Sequence, residues 1–204
     1  MNHLRDLSVL VLGLGDSGLA MARWCARHGA RVRVWDSRDE PPHAAVLAAE
    51  LQQVERLHGA LAAESLGDAK LVLKSPGLAP RDERIAPLVE HARGIGVAVQ
   101  GELDLYARAL ADLKADRGYA PQVLAVTGTN GKTTTTAMTA LLVERAGRRV
   151  ATAGNIGPTL LDTLTQALDD EAVLGHLPEV WVLELSSFQL DGVQGFEPDA
   201  AAVL

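Results

Sequence analysis

Short apolar runs alternate along this chain with longer stretches whose apolar positions recur every three or four residues. "SVLVLGLG" reads as a strand entering a tight turn, followed by a helix through about His28 that Gly29 stops. "ARVRVWD" is a second strand ending in Asp36, and "SRDEPP" is a loop, because its two prolines continue neither a strand nor a helix interior. "HAAVLAAELQQ" reads as a helix, "LVLKSPG" as a strand running into a Ser-Pro-Gly turn, and "ERIAPLVEHARG" as a helix. "GVAVQ" and "ELDLYARAL" add one more strand and one more helix. Strands alternating with helices predict a parallel sheet with helical crossovers.

The alternation pauses in the polar stretch "ADLKADRGYAPQ", which predicts a boundary near residue 117 and two domains, 1–116 and 117–204. The series then restarts. "VLAV" is a strand, and the next helix has Ala137, Met138, Leu141 and Leu142 at helical spacing with Gly147 as its stop. "VATAGNIG", the helix "TLLDTLTQAL" and the strand "VWVLELSSFQL" follow. The final "AAVL" reads as the start of a buried strand, so the second domain is expected to be truncated and the chain to be part of a longer protein. The fold class expected is α/β: a Rossmann-like N-terminal parallel sheet, then a truncated α/β domain of the P-loop type.

Two glycine signatures carry candidate chemistry. "VTGTNGKTTTT" places Gly128, Thr129, Asn130 and Gly131 before Lys132, Thr133 and Thr134. It misses the strict G-x-x-x-x-G-K-[ST] pattern, since Val126 stands where the first glycine belongs. The physics survives: a tight turn between strand and helix aims amide N–H groups at a phosphate beside the helix N-terminus. Lys132 offers a point charge, and Thr133 a hydroxyl for Mg²⁺. Four threonines in a row are poor helix formers, so local propensity does not account for this helix start.

"GLGDSG", Gly13 to Gly18, matches G-x-G-x-x-G between a strand and a helix, with Asp36 about twenty residues on. The pattern leaves three readings open: glycines that serve packing, NAD with Asp36 on a ribose, or another diphosphate such as a UDP-sugar. Glu184, in the apolar "LELSSFQL", is either a metal ligand or partner beside Thr133, or a strand-edge carboxylate facing water. Asn155, in "AGNIG", stands either in a ligand-binding turn or in a plain one.

Composition narrows the class. A formal net charge of −7 disfavours nucleic acid as the main partner. The single cysteine, Cys25, excludes an internal disulfide and reads as a buried thiol within a helix. No run reaches transmembrane length and no signal peptide opens the chain, so a cytoplasmic protein with no membrane partner is expected.

Taken together, G-T-N-G-K-T, G-N-I-G and L-E-L-S-S-F-Q resemble the central domain of the Mur ligases, the ATP-dependent amide-forming enzymes of peptidoglycan synthesis. G-L-G-D-S-G, W-D-S-R, K-S-P-G and G-E-L-D-L-Y resemble the N-terminal domain of the D-glutamate-adding (MurD-type) branch of that family. The resemblance implies a first domain that binds the UDP of the substrate, lined by Asp16, Ser17, Asp36, Ser37, Arg38, Ser75 and Gly77, with Asn155 reaching the muramoyl-alanine part. It implies ATP on Gly128 to Thr134, Mg²⁺ on Thr133 and Glu184, and Lys132, Asn155 and Glu184 as the catalytic set. The implied reaction joins D-glutamate to UDP-N-acetylmuramoyl-L-alanine through an acyl phosphate in a full-length monomer, with this chain an inactive part of it. A sister Mur ligase or a folylpolyglutamate-synthase-like ligase fits the ATP motifs equally. An NAD-binding oxidoreductase or sensor fits the first glycine signature alone.

Overall fold

A computed structural model describes residues 1–79 and 81–204. The chain forms two compact units, Met1–Leu105 and Tyr106–Leu204. The division falls inside a helix that continues to Arg117.

In the first unit, β1 (Ser8–Leu12), β2 (Arg31–Trp35), β3 (Glu55–Leu57), β4 (Leu71–Lys74) and β5 (Ala98–Gln100) form one sheet in the order β3-β2-β1-β4-β5. Every pairing is parallel. All five residues of β1 are buried, as its unbroken apolar run requires of a central strand covered on both faces. Helices α1 (Asp16–Arg27), α2 (Ala44–Glu50) and α3 (Ala86–Gly94) are the crossovers. Leu10, Leu12, Trp35, Val72, Ile85 and Leu88 belong to one core cluster. Cys25 is buried in α1, and burial pushes its thiol up to about 12. Strand β3 was not anticipated: "ERL" is three residues long, has no apolar alternation and pairs on one side only.

The chain leaves β1 for β2 and β3 on one side, then returns to place β4 on the other side of β1. The C-terminal ends of β1 and β4 therefore flank the crevice in which open α/β sheets bind ligands.

Helix α4 (Glu102–Arg117) leads into the second unit, where β6 (Gln122–Thr127), β7 (Val150–Gly154), β8 (Val180–Glu184) and β9 (Ala200–Val203) pair in parallel in the order β7-β8-β6-β9. Strand β8 is buried throughout. Trp181 meets Tyr106 edge-on at 5.5 Å and donates to the Tyr119 hydroxyl at 2.8 Å.

Two expectations are corrected here. After helix α6 (Leu160–Leu174), the strand expected through "SSFQL" ends at Glu184, and Ser187–Leu190 forms a short helix, α7, whose N-terminus Ser186 and Gln189 cap reciprocally. Helix α5 (Lys132–Arg145) forms as expected but turns its apolar residues outward. Met138, Leu141 and Leu142 are 59%, 46% and 65% exposed, while Thr136 is buried and Ala140 and Val143 are half-buried. The face toward the sheet is thus 136-140-143, a row of small and β-branched residues at the same helical period.

Candidate functional site

The first unit carries most of its expected residues on the loops after β1, β2 and β4, strands that lie side by side. Gly18 is dictated by packing, since a Cβ there would run into the Gly13 carbonyl. This close approach seats the start of α1 against the end of β1. Asp16 and Ser17 open α1, and the Asp16 carboxylate lies 2.7 Å from Nε2 of His43. Ser75 is buried and its Cβ packs against the Gly13 backbone; Gly77, two residues on, is exposed.

Asp36 is the electrostatic centre of this crevice. Its side chain is only 4% exposed. Oδ2 accepts from the Leu14 amide at 2.7 Å and from Arg38 Nη2 at 2.8 Å. Oδ1 accepts from the Arg38 amide at 2.9 Å and from its Nε at 2.8 Å. Each oxygen thus has both lone-pair directions filled by the protein, which leaves none for a ribose hydroxyl. The carboxylate fixes the glycine loop and the arginine, and the half-exposed guanidinium faces outward.

Burial pushes the Asp36 carboxyl up, but the hydrogen bonds from Arg38 and Leu14 and the guanidinium charge outweigh it and hold the pKa at about 2, against 3.8 for the free group. The folded value lies below the unfolded one. The stability it contributes is therefore complete above about pH 4 and lost as pH falls from there to about 2. Screening of the half-exposed arginine limits the gain to about 1–2 kcal/mol. In urea melts the stability gap between the parent chain and Asp36→Asn is expected to narrow over that window; a gap unchanged from pH 5 to pH 2 would contradict the pairing.

The second unit brings three expected residues into contact. Glu184 ends β8 and is 1% exposed. Its Oε2 accepts from the Thr133 hydroxyl at 2.9 Å, and its Oε1 from Asn155 Nδ2 at 3.1 Å. Register explains the meeting: Val126 of β6 and Gly154 of β7 both pair with Glu184. Gly154 has φ +127° and a Cβ there would strike the Glu184 carbonyl, so only glycine lets β7 turn off toward Asn155. The water-facing alternative for Glu184 is excluded by its burial.

The loop between β6 and α5 ends in Gly131, left-handed at φ 78°, which starts α5 without any side-chain cap and with no acid in the first turn. The first-turn amides therefore keep their donors for an anion. Lys132 folds back, its Nζ donating to the Gly128 carbonyl at 2.8 Å and the Thr129 carbonyl at 3.4 Å. Asn130 and Thr134 are exposed beside it. Uncapped amides, a lysine and the hydroxyls of Thr133 and Thr134 fit a nucleotide phosphate. Adjacent hydroxyl and carboxylate oxygens fit a hard divalent cation.

Comparison with known proteins gives these sites a context. The N-terminal domain model of MurD-like Mur ligases matches residues 7–101, and the Mur ligase middle domain model matches residues 126–204. This chain belongs to the Mur ligase family. It is 62% identical over 206 residues to the UDP-N-acetylmuramoylalanine–D-glutamate ligase of Albidiferax ferrireducens, covering 100% of this chain and 40% of that protein. The ligase of the same name from Burkholderia mallei is 58% identical, covering 96% of this chain and 38% of that protein. This Mur ligase chain thus spans about two fifths of the length of the curated relatives it matches. A solved UDP-N-acetylmuramate:L-alanyl-gamma-D-glutamyl-meso-diaminopimelate ligase from Neisseria meningitides aligns with 88% of this chain and 52% of its own, at 18% identity and a TM-score of 0.45.

Two residues of the first site escaped sequence reasoning. His43 carries no motif in the sequence, yet it meets the Asp16 carboxylate. Arg84 had no role at all, yet it donates to Ser37 Oγ at 2.9 Å. The signal was present: Asp82-Glu83-Arg84 repeats the Asp-x-Arg spacing of Asp36-Ser37-Arg38.

Proposed function

We propose that this chain is the substrate-binding and ATP-binding portion of a UDP-N-acetylmuramoylalanine–D-glutamate ligase. The substrate site is the crevice over β1, β2 and β4, with Asp16, Ser17, Asp36, Ser37, Arg38, Ser75 and Gly77 around the uridine diphosphate. Mg-ATP occupies the loop from Gly128 to Thr134. The observation that carries the reading is Glu184, a buried carboxylate held by Thr133 and Asn155 with no cation paired to it among the described residues. A lone buried negative charge is costly, and a bound Mg²⁺ would offset that cost.

ATP supplies the phosphoryl group that activates the substrate carboxylate. This chain's own residues orient and neutralise. Lys132 would leave the loop carbonyls to meet the terminal phosphates, as a flexible, point-charged donor can. The first-turn amides of α5 would share that charge. Asn155, tied to Glu184, would hold the muramoyl-alanine end. D-glutamate joins in the longer polypeptide, which acts as a cytoplasmic monomer without nucleic-acid or membrane partners. No helix among the described residues is long and apolar enough to cross a membrane.

The NAD reading shares the first site but needs a free acid for the ribose, and all four acceptor directions of Asp36 are taken. UDP is expected to raise the melting temperature of the 204-residue chain, and NADH to leave it unchanged. The reverse pattern would overturn the substrate-site reading in favour of a dinucleotide module. D-glutamate is expected to trigger no phosphate release from these residues alone, because all the reactants must be held in one geometry.

A further inference from the structure

Two Asp-x-Arg tripeptides of the first unit are folded alike. Arg38 donates from its amide and Nε to Asp36 Oδ1, at 2.9 and 2.8 Å, and from Nη2 to Oδ2 at 2.8 Å. Arg84 donates from its amide and Nε to Asp82 Oδ1, at 3.0 and 2.8 Å, and from Nη2 to Oδ2. In both, the aspartate side chain is enclosed, at 4% and 9% exposure, while the guanidinium stands out at 52% and 58%. The first tripeptide follows β2 and the second lies between β4 and α3. Arg84 Nη1 joins them by donating to Ser37 Oγ at 2.9 Å.

This contact fixes more than the loop. A serine hydroxyl has one proton and two acceptor lone pairs, and a guanidinium can only donate. With Arg84 on one lone pair of Ser37, the hydroxyl proton must point to something else. Ser37 is exposed, so that proton is free to meet a ligand in the crevice. A hydroxyl that accepts from a cation is also polarised into a better donor. The fork onto Asp82 pins the guanidinium in this pose, which a flexible ammonium in its place would lack.

We infer that Arg84 is a positioning residue for the nucleoside diphosphate bound at this crevice: it presets the Ser37 hydroxyl as a donor to an acceptor oxygen of that ligand. The inference rests on the proposal that the first unit binds UDP. Arg84 thereby acts through Ser37, and Asp82 acts through Arg84.

The test is calorimetric titration of UDP into the parent chain, Arg84→Ala, Arg84→Lys, Asp82→Asn, Ser37→Ala and the Arg84→Ala/Ser37→Ala double variant. Mg-ATP binding to each variant serves as a check on the other unit, and thermal melts as a check on folding. Arg84→Ala is expected to weaken UDP roughly tenfold. Ser37→Ala should do about the same, and the double variant should be no weaker than Ser37→Ala within roughly twofold. Arg84→Lys should fail to rescue, because it keeps the charge without the fork. Asp82→Asn should reproduce part of the loss, which covers the case in which Arg84→Ala does not fold.

UDP binding that is unchanged in Arg84→Ala would overturn the inference and leave the UDP site standing. Additive losses in the double variant, or full rescue by lysine, would also overturn it, since Arg84 would then act on the ligand by its own charge. A parent chain that binds no UDP would overturn the site reading itself, and this inference with it.

Discussion

Lys132→Ala is expected to weaken Mg-ATP binding roughly tenfold to a hundredfold, the worth of a charge-assisted contact of about 1.5–3 kcal/mol. The ammonium rests on the Gly128 and Thr129 carbonyls. It is thus held within the loop that would wrap the phosphates. Removing it should barely disturb the fold: the residue is half-buried and Gly131, not Lys132, makes the turn that starts α5. Calorimetry with Mg-ATP, beside a thermal melt of each protein, reads both effects. Equal affinities would remove the loop from the nucleotide site.

Glu184→Gln is expected to separate metal from fold. The glutamate is 1% exposed and accepts from Thr133 and Asn155. Glutamine can keep both contacts: its oxygen can accept from Asn155 Nδ2, and its NH₂ can donate to the Thr133 hydroxyl, which carries acceptor lone pairs. Exchanging charge-assisted for neutral hydrogen bonds costs about 1 kcal/mol, and relief from burying an unpaired charge offsets it, so metal-free stability is expected to stay within about 1 kcal/mol of the parent. Mg²⁺ binding has no such compensation, since an anionic oxygen beside the Thr133 hydroxyl is gone. Affinity for ATP with Mg²⁺ should fall at least roughly tenfold, while ATP in excess chelator should bind the two proteins alike. A variant that keeps its Mg²⁺ dependence would show that Glu184 serves only to tie Thr133 to Asn155.

The alternation of strands and helices was legible because central parallel strands must be apolar on both faces. "SVLVL" and "VWVLE" could hardly be anything else, and both are fully buried. Strand β3 was not legible, because an edge strand of three residues owes its existence to Arg33, Val34 and Trp35 beside it. Helix α5 shows the limit of periodicity. Its Met-Leu-Leu face and its Thr-Ala-Val face follow the same period, and only the packing against β6, β7 and β8 decides between them. The short α7 was missed because its Ser-Gln cap sat inside an apolar run that invited a longer strand.

The sites divide in the same way. Thr133, Asn155 and Glu184 stand on three separate elements; chemistry left Asn155 and Glu184 open and the family resemblance nominated them, and strand register then placed them in contact. The role of Asp36 was not legible. A lone acid after β2 reads as a ribose ligand, and only the Leu14 amide and the Arg38 fork show it spent within the protein. Arg84 went unnoticed because its partner, Ser37, is 47 residues away in sequence.

Two independent anion sites are proposed for this chain, a uridine-diphosphate crevice in the first unit and a Mg-ATP loop in the second. Calorimetric titration of UDP-N-acetylmuramoyl-L-alanine and of Mg-ATP, each alone and each in the presence of the other, tests this proposal most directly when repeated on Arg38→Ala and Lys132→Ala. Both ligands are expected to bind without competing, with Arg38→Ala weakening only the first and Lys132→Ala only the second. Competition between the ligands, or one substitution abolishing both, would contradict it.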